Sequence, residues 1–565
     1  MLRTFDQHEV RPEVSLCGWW EFALEEDHKG PAPLPGAYPR TLHVPSAWEQ
    51  LPGLECYRGK AWLRAIIEGD PDRAVRLVFG GVSHTADVFL DGRHVGHHYD
   101  AFTPFAVVAG PLDEGPHDLV VAVDNRFGDA SALHRPNDYY TYGGITRPAV
   151  LQYVPEVYID HVFATPARRG KKWSLDLRVR LRNWAGEALT RSAVVSLGDQ
   201  YVELGEVTVP AGGTVEVPGR MTGLDVEPWS PVSPTLYGLQ ALLVDGGEIV
   251  DDLIDRIGFR DVKVRGKKLL LNGKPLRLRG YNRHEDHGQF GCAIPLEAMV
   301  LDLALLRDLG CNFVRTCHYP NDMRFLDLCD EMGFCVWEES HARAVPFDAP
   351  KFREQIAAST TEMIEWHGNR PSIVIWGCLN ECDSVSPAGR EEHARVIELI
   401  KRLDRSRPVT FASNKAERDA CLDLVDIVSW NRYAGWYHDR PADVGEDLQR
   451  LLKWLHSPAS GGKGKPVILS EFGAGAIPGY RHPSHVKWTE EYQAEALDAQ
   501  LAVYLHHPDV VGCAIWQFCD TRITTEETRF NSRPRTMNNK GTVDELRRPK
   551  LAYETVRRRM REAAT

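Results

Sequence analysis

The sequence predicts a three-part chain: an N-terminal β jelly roll, an immunoglobulin-like β-sandwich and a C-terminal (β/α)8 TIM barrel. Three observations carry this. Up to about residue 260 the chain consists of short segments of alternating apolar and polar residues, punctuated by Gly, Asp, Asn and Pro. Beyond that point continuous apolar runs replace the alternation, as expected of parallel strands buried on both faces. Those runs are separated by stretches of helical periodicity, eight alternations in roughly 300 residues. The expected domains are residues 1–156, 157–260 and 261–565.

In the first domain "RAVRLVFGG", "ADVFLDGRHVG" and "HDLVVAVDN" alternate with period two, and Asp91-Gly92 marks a tight hairpin. In the second, "WSLDLRVRLRNWAG" and "YVELGEVTVPAGGTVEVPG" do the same over about a hundred residues, the size of a small sandwich. In the third the expected strands are "LRLRGYN", "CNFVRTCH", "FCVWEES", "SIVIWGCLNE", "VTFAS", "DIVSWNRY", "PVILSEFG" and "VVGCAIWQF". Helical patterns such as "LEAMVLDLALLRDLG" and "EEYQAEALDAQLAVYLHH" lie between them.

The bulk composition narrows the function. The 565 residues carry a net charge of −12, so no general attraction to nucleic acid or anionic lipid is expected. No apolar run is long enough to span a membrane, and the N-terminal "MLRTFDQHEVRPE" lacks the apolar core of a secretory signal. The 12 cysteines show no CxxC pair and several sit in apolar segments. They read as buried free thiols of a cytoplasmic protein.

Catalytic side chains of a β/α barrel project from the C-terminal ends of its strands. Here those ends carry Asn282 to Asp286, His318, Glu338 and Glu339, Asn380 and Glu381, Asn431 to Tyr433, Glu471, and Trp516 with Gln517. Glu381 and Glu471, on strands four and seven, face one cavity in such a barrel. Two carboxylates, one protonated and one ionised, are what glycoside hydrolysis requires. A separation of about 5–5.5 Å gives retention through a covalent glycosyl-enzyme. A partly desolvated mouth is expected to raise one carboxyl's pKa.

Three motifs resemble glycoside hydrolase family 2: "NFVRTCHYP", "NRPSIVIWGCLNE" and "SEFG". The N-terminal "FGGVSHTADVFLDGRHVGHH" resembles the family's jelly-roll domain. The resemblance implies Glu381 as acid/base, Glu471 as nucleophile, Asn380 on the hydroxyl beside the anomeric carbon, and His318 on the sugar. "NNKG" resembles the Asn-x-Lys motif of the β-glucuronidase branch, implying that Asn538 and Lys540 hold the sugar carboxylate. Such an ion pair at ~4 Å contributes about 4 kcal/mol at an effective dielectric of ~20, before desolvation. "SWNRYAGWY" and "NDYYTYGGITRP" resemble further segments of that branch. They imply Tyr433 beside the nucleophile, Tyr437 near the sugar and Asp138 on a hydroxyl. Trp516 is implied as the aromatic wall under the ring.

The function so implied is a retaining, exo-acting β-glucuronidase acting on small-molecule or oligosaccharide glucuronides, assembled as a dimer or tetramer. The alternatives are β-galacturonidase, β-galactosidase or a catalytically inactive carbohydrate-binding homologue. The sequence departs from the branch in two places. Pro534, flanked by Arg533 and Arg535, stands where relatives often carry arginine. The segment "HARAVPFDAP" after strand three is short, implying an open site. No metal or other cofactor is required by the carboxylate mechanism, and His284, Glu285 and Asp286 are expected to support structure rather than ligate.

Overall fold

The computed structural model describes every residue except Gly30, Thr528, Arg529, Asn531 and Thr565. Its architecture is the expected one: two β-sandwiches in series, then a closed eight-stranded parallel barrel.

In the first sandwich a six-stranded sheet faces a four-stranded one. The alternating segments supply one inward face each, so Trp20, Phe22, Trp48, Leu63, Leu77, Phe79 and Val121 share one core. Asp91 (φ 49°) and Gly92 (φ 77°) form the hairpin turn, closed by the Leu90–Arg93 pair. Positive φ at both positions matches the twist of the flanking strands, which is why Asp-Gly suits the turn. The second sandwich packs the sheet of Val157–Arg169, Lys172–Asn183 and Thr214–Leu224 against a four-stranded sheet running from Leu189 to Ile257. Leu175, Leu177, Val179 and Leu181 alternate inward along one of its strands.

The N-terminal segment ties these units together. The Arg3 guanidinium donates to Asp255 of the second sandwich and Asp327 of the barrel, each at 2.9 Å. Arg11 pairs with Asp251 at 2.7 Å, fully buried.

The barrel strands are β1 Leu278–Arg283, β2 Phe313–Thr316, β3 Cys335–Glu339, β4 Ile373–Cys378, β5 Val409–Ser413, β6 Val428–Asn431, β7 Val467–Phe472 and β8 Val510–Ile515. All pair in parallel, and β8 closes on β1. Gly280 allows the close approach of β1 to β2: a Cβ there would lie 1.7 Å from the Phe313 carbonyl oxygen. A three-stranded meander over residues 262–275 sits under the barrel. Its Val262, Leu269 and Leu271 join Leu278, Phe313, Cys335, Ile427 and Ile468, residues at the starts of strands, in one apolar cluster. The N-terminal end of the barrel is thereby plugged.

The described helices are α1 Leu296–Asp308, α2 Met323–Met332, α3 Phe352–His367, α4 Pro387–Leu403, α5 Val444–Leu455, α6 Glu490–Tyr504 and α7 Leu551–Glu562. The eight expected alternations are incomplete at one point. Between β5 and β6 residues 414–427 hold only a 3-10 turn, Ala416–Arg418. A parallel crossover needs a dozen or more residues, and this one spends its length burying Cys421, Leu422 and Val425 against the barrel instead. The twelve cysteines are free. No described helix is long and apolar enough to cross a membrane.

One excursion of the first sandwich reaches the open end of the barrel. Tyr142 donates to Asp286 at 2.7 Å, and Arg147 donates to Glu285 and to the Pro320 carbonyl, both at 2.7 Å. Glu285 also accepts from the Asp322 amide. Glu285 and Asp286 thus dock a domain.

Candidate active site

Strand β4 is buried along its whole length, and its apolar packing anchors the turn at its C-terminal end. The chain leaves it through two residues in the left-handed region, Leu379 (φ 46°) and Glu381 (φ 53°). Such backbone is costly for non-glycine residues and persists only where the surroundings impose it. Here the Asn380 amide is fixed to Ala342 and the Glu381 amide to Ala412, at 2.8 and 2.9 Å. The result turns the Glu381 side chain into the barrel mouth.

A cavity of about 300 Å³ opens there, lined by Glu381 and Glu471 together with Asp138, Arg343, Asn431, Tyr433, Tyr437, Trp516, Arg533 and Lys540. Glu471 is 4% exposed. It accepts from Tyr433 at 2.7 Å and from Arg315 at 3.0 Å. Glu381 accepts from Asn431 at 3.0 Å and lies 3.4 Å from Arg343. Asn431 also pairs with Glu471 in the β6–β7 register, so it stands beside one carboxylate while donating to the other.

Burial and the neighbouring Glu381 carboxylate push the Glu471 carboxyl up to about 8, while Arg315 and Tyr433 hold it down. The raised carboxyl is therefore on β7, whereas the acid of the implied mechanism is on β4. The donors on Glu471, Arg315 and Tyr433, favour the anion there.

Arg315 organises this floor, and strand ends alone do not point to it. Its guanidinium, fully buried, forks onto Glu339 at 2.7 and 2.9 Å and reaches Glu471, Asn282 and Asn380. A charged residue in the middle of "NFVRTCH" is the signal that marks it. His318 and Asn380 stand just behind the wall. The His318 ring stacks on Trp516, with its Nδ1 2.9 Å from Glu339. Its Nε2 has no protein partner and lies 3.9 Å from Glu471. The Asn380 side-chain nitrogen is likewise unpartnered, while its oxygen accepts from Arg315. Both are polar groups free to meet a ligand hydroxyl.

The Asn-x-Lys segment reaches the same cavity. Lys540 is 1% exposed, with Nζ 3.4 Å from the Asn538 oxygen and 5.2 Å from the Tyr437 ring centre. Burial and Arg533 push its pKa down. Asn538 stands behind it, its nitrogen 3.4 Å from Asp138. Tyr437 is 61% exposed and forms the rim. Of the two flanking arginines, Arg533 enters the cavity and donates to Asp138 at 2.7 Å. Arg535 turns away to Glu545.

The short segment after β3 supplies Arg343 to the site. That guanidinium lies 3.3 Å from Asp138 and 3.4 Å from Glu381, and donates to Asn137 at 2.7 Å. Against a burial that raises it, Arg343, Arg533 and Lys540 hold the Asp138 carboxylate well below the usual range. One Asp thus sits among three cations, leaving a net positive wall. No spacing in the sequence marks Arg343; the fold brings residue 343 to residues 138 and 381.

Known proteins share this architecture. Residues 262–564 match the TIM barrel domain of glycosyl hydrolases family 2, and residues 157–260 match a second model of that family. A family 2 β-galacturonidase from Eisenbergiella tayi, solved bound to galacturonate, is 44% identical, covering 100% of this chain and 99% of its own, with a TM-score of 0.92. The β-D-glucuronidase of Dictyoglomus thermophilum is 26% identical, covering 99% of this chain and 98% of its own, with a TM-score of 0.82. A β-glucuronidase of Streptococcus agalactiae is 28% identical, covering 97% of this chain and 96% of its own. The chain belongs to glycoside hydrolase family 2, in the same branch as these β-glucuronidases and β-galacturonidases, and is a glycoside hydrolase.

Proposed function

We propose that the chain is a retaining, exo-acting β-uronidase that releases terminal β-linked hexuronic acids. One observation carries this reading: the paired carboxylates Glu381 and Glu471 share a cavity with the buried Lys540 and the inward-facing Arg533. A carboxylate pair supplies glycoside hydrolysis. A buried ammonium beside a guanidinium recognises an acid sugar, and a neutral hexose leaves the Lys540 ammonium without an ion-pair partner.

In the proposed reaction Glu471 attacks the anomeric carbon as Glu381 gives its proton to the departing oxygen. A glycosyl ester on Glu471 forms and the aglycone leaves. Glu381, now ionised, takes a proton from water, which attacks the anomeric carbon and restores Glu471 as carboxylate. Arg315 and Tyr433 orient Glu471 and stabilise its charge. Asn380, with its free nitrogen, bonds the hydroxyl next to the anomeric carbon, and His318 Nε2 bonds another. Trp516 packs under the ring, Asp138 accepts from a hydroxyl, and Asn538 with Lys540 holds the sugar carboxylate.

Glucuronide and galacturonide differ only at C4 and share every group this mechanism uses. The relative that is 44% identical over the full chain is named a β-galacturonidase, and this favours galacturonide. The β-glucuronidases at 28% and 26% identity support glucuronide as the second reading. Side-by-side turnover of para-nitrophenyl β-galacturonide, β-glucuronide and β-galactoside tests both, with a uronide expected to lead by about two orders of magnitude or more. Preference for the galactoside would refute a uronidase. Proton NMR of the first-formed sugar tests retention: the β anomer is expected, and an initial α anomer would rule out the glycosyl ester.

A further inference from the structure

Away from the cavity, Asp100, His134 and His341 converge where the first sandwich meets the barrel. We propose that they form a divalent-cation site that takes Zn2+ and clamps the sandwich to the loop after β3. All three residues are at most 1% exposed. Asp100 Oδ1 lies 3.3 Å from His341 Nδ1 and 3.5 Å from His134 Nε2, and the three ligand atoms fall within 4.8 Å of one another. Tetrahedral Zn2+ with bonds of about 2.0–2.1 Å separates its ligands by about 3.3 Å, so two of the distances are already those of an occupied site.

The surroundings of the three atoms also fit a cation. Asp100 Oδ2 and His341 Nδ1 have no hydrogen-bond partner, although both are buried. A buried carboxylate needs a counter-charge, yet among the described residues only these two histidines come within ion-pair distance of Asp100. The far nitrogen of each ring meets a phenol: His134 Nδ1 lies 3.0 Å from the Tyr99 hydroxyl, and His341 Nε2 3.4 Å from that of Tyr139. Outer partners of this kind orient metal-bound imidazoles. Asp100 itself has φ 121°, a conformation L-residues rarely adopt. The Ala101 amide donates to His134 Nε2 at 3.2 Å, a bond a cation would displace, and the Phe102 amide donates to Asp100 Oδ1 at 3.3 Å, which a carboxylate oxygen can accept beside a cation. His134 also lines a cleft with Pro346, Asp348, Ala349 and Pro350. Two imidazoles and one carboxylate suit Zn2+ better than Mg2+ or Ca2+, which prefer oxygen.

The site has a structural consequence for the cavity. His341 is two residues before Arg343, so a cation held there would fix the short loop that carries this guanidinium to Glu381.

The full-length protein, stripped with dipicolinate and dialysed against Zn2+ or Co2+ alone, tests the proposal. A His438→Ala background removes the half-exposed second cluster of His438, Asp439 and Asp447. About one equivalent should bind per chain, with a rise in melting temperature and, for Co2+, the intense visible bands of a tetrahedral site. Asp100→Asn and His341→Gln should each lose that binding at least tenfold. Should neither variant fold, X-ray absorption on the Zn2+-loaded parent decides, with two imidazoles and one carboxylate oxygen expected. No binding by the parent, undiminished binding in the variants, or a coordination shell without imidazole would overturn the proposal.

Discussion

The two ends of one barrel are built from the same strands and obey opposite rules. On β2, Phe313 and Arg315 are two residues apart and so face the same side. Phe313 joins the apolar plug at the lower end; Arg315 anchors the polar floor of the mouth. On β3 the steps run Cys335, Trp337, Glu339, and on β1 Leu278, Gly280, Asn282. The plug gains stability from every buried group. The mouth buries charge, which is costly even when paired, and holds it in a network around Arg315. One end keeps the fold and the other keeps the chemistry, and a variant should damage one property with little effect on the other.

Glu471→Gln is the strongest way to probe that division. On the proposed mechanism it removes the nucleophile and should lower kcat by at least about 10⁴-fold, while urea denaturation shows no loss of stability. Near-normal turnover would remove Glu471 from the reaction. Glu381→Ala should lower kcat about 10²–10⁴-fold. The deficit should shrink for substrates with very acidic leaving groups, which need no proton; equal deficits across leaving groups would argue against an acid role. At the opposite end, Phe313→Ala should cost about 3–5 kcal/mol of stability and leave KM unchanged. A large KM change in the surviving folded protein would show that the two ends are coupled.

Lys540→Ala is a subtler test of the mouth. It should reduce the preference for a uronide over the matching neutral glycoside about 10²-fold or more, read as the ratio of kcat/KM values. An unchanged ratio would end the carboxylate-clamp idea. The smallest effect is one of pH. A carboxyl raised to about 8 in the folded state favours folding fully only below its unfolded value, near 4.5. That contribution is lost as the pH rises through about 8. The melting temperature of Glu471→Gln minus that of the parent should therefore grow between pH 5 and pH 8.5, by about 1–3 °C. A constant difference would show that Glu471 ionises without penalty.

Much of this architecture was legible because periodicity is a local property. Period-two alternation marked the sandwiches, and continuous apolar runs marked the eight barrel strands. The missing helix between β5 and β6 was not legible, because the segment's apolar residues say nothing of where its two ends must meet. The site divides in the same way. Glu381 and Glu471 stand out as carboxylates ending apolar strands, and a barrel brings all strand ends to one mouth. Lys540 and Tyr433 stand in segments that resemble a known branch.

What the sequence determined by itself was therefore the succession of domains and the strand-end residues, since both depend on neighbours along the chain. The tertiary structure alone decided which distant charges meet: Arg343 beside Asp138 and Glu381, Arg533 rather than Arg535 in the cavity, and Asp100 with His134 and His341 at the domain junction. The physical reason is that the energy of a charge depends on separation in space and on burial. Neither is written in the spacing of residues that lie hundreds of positions apart.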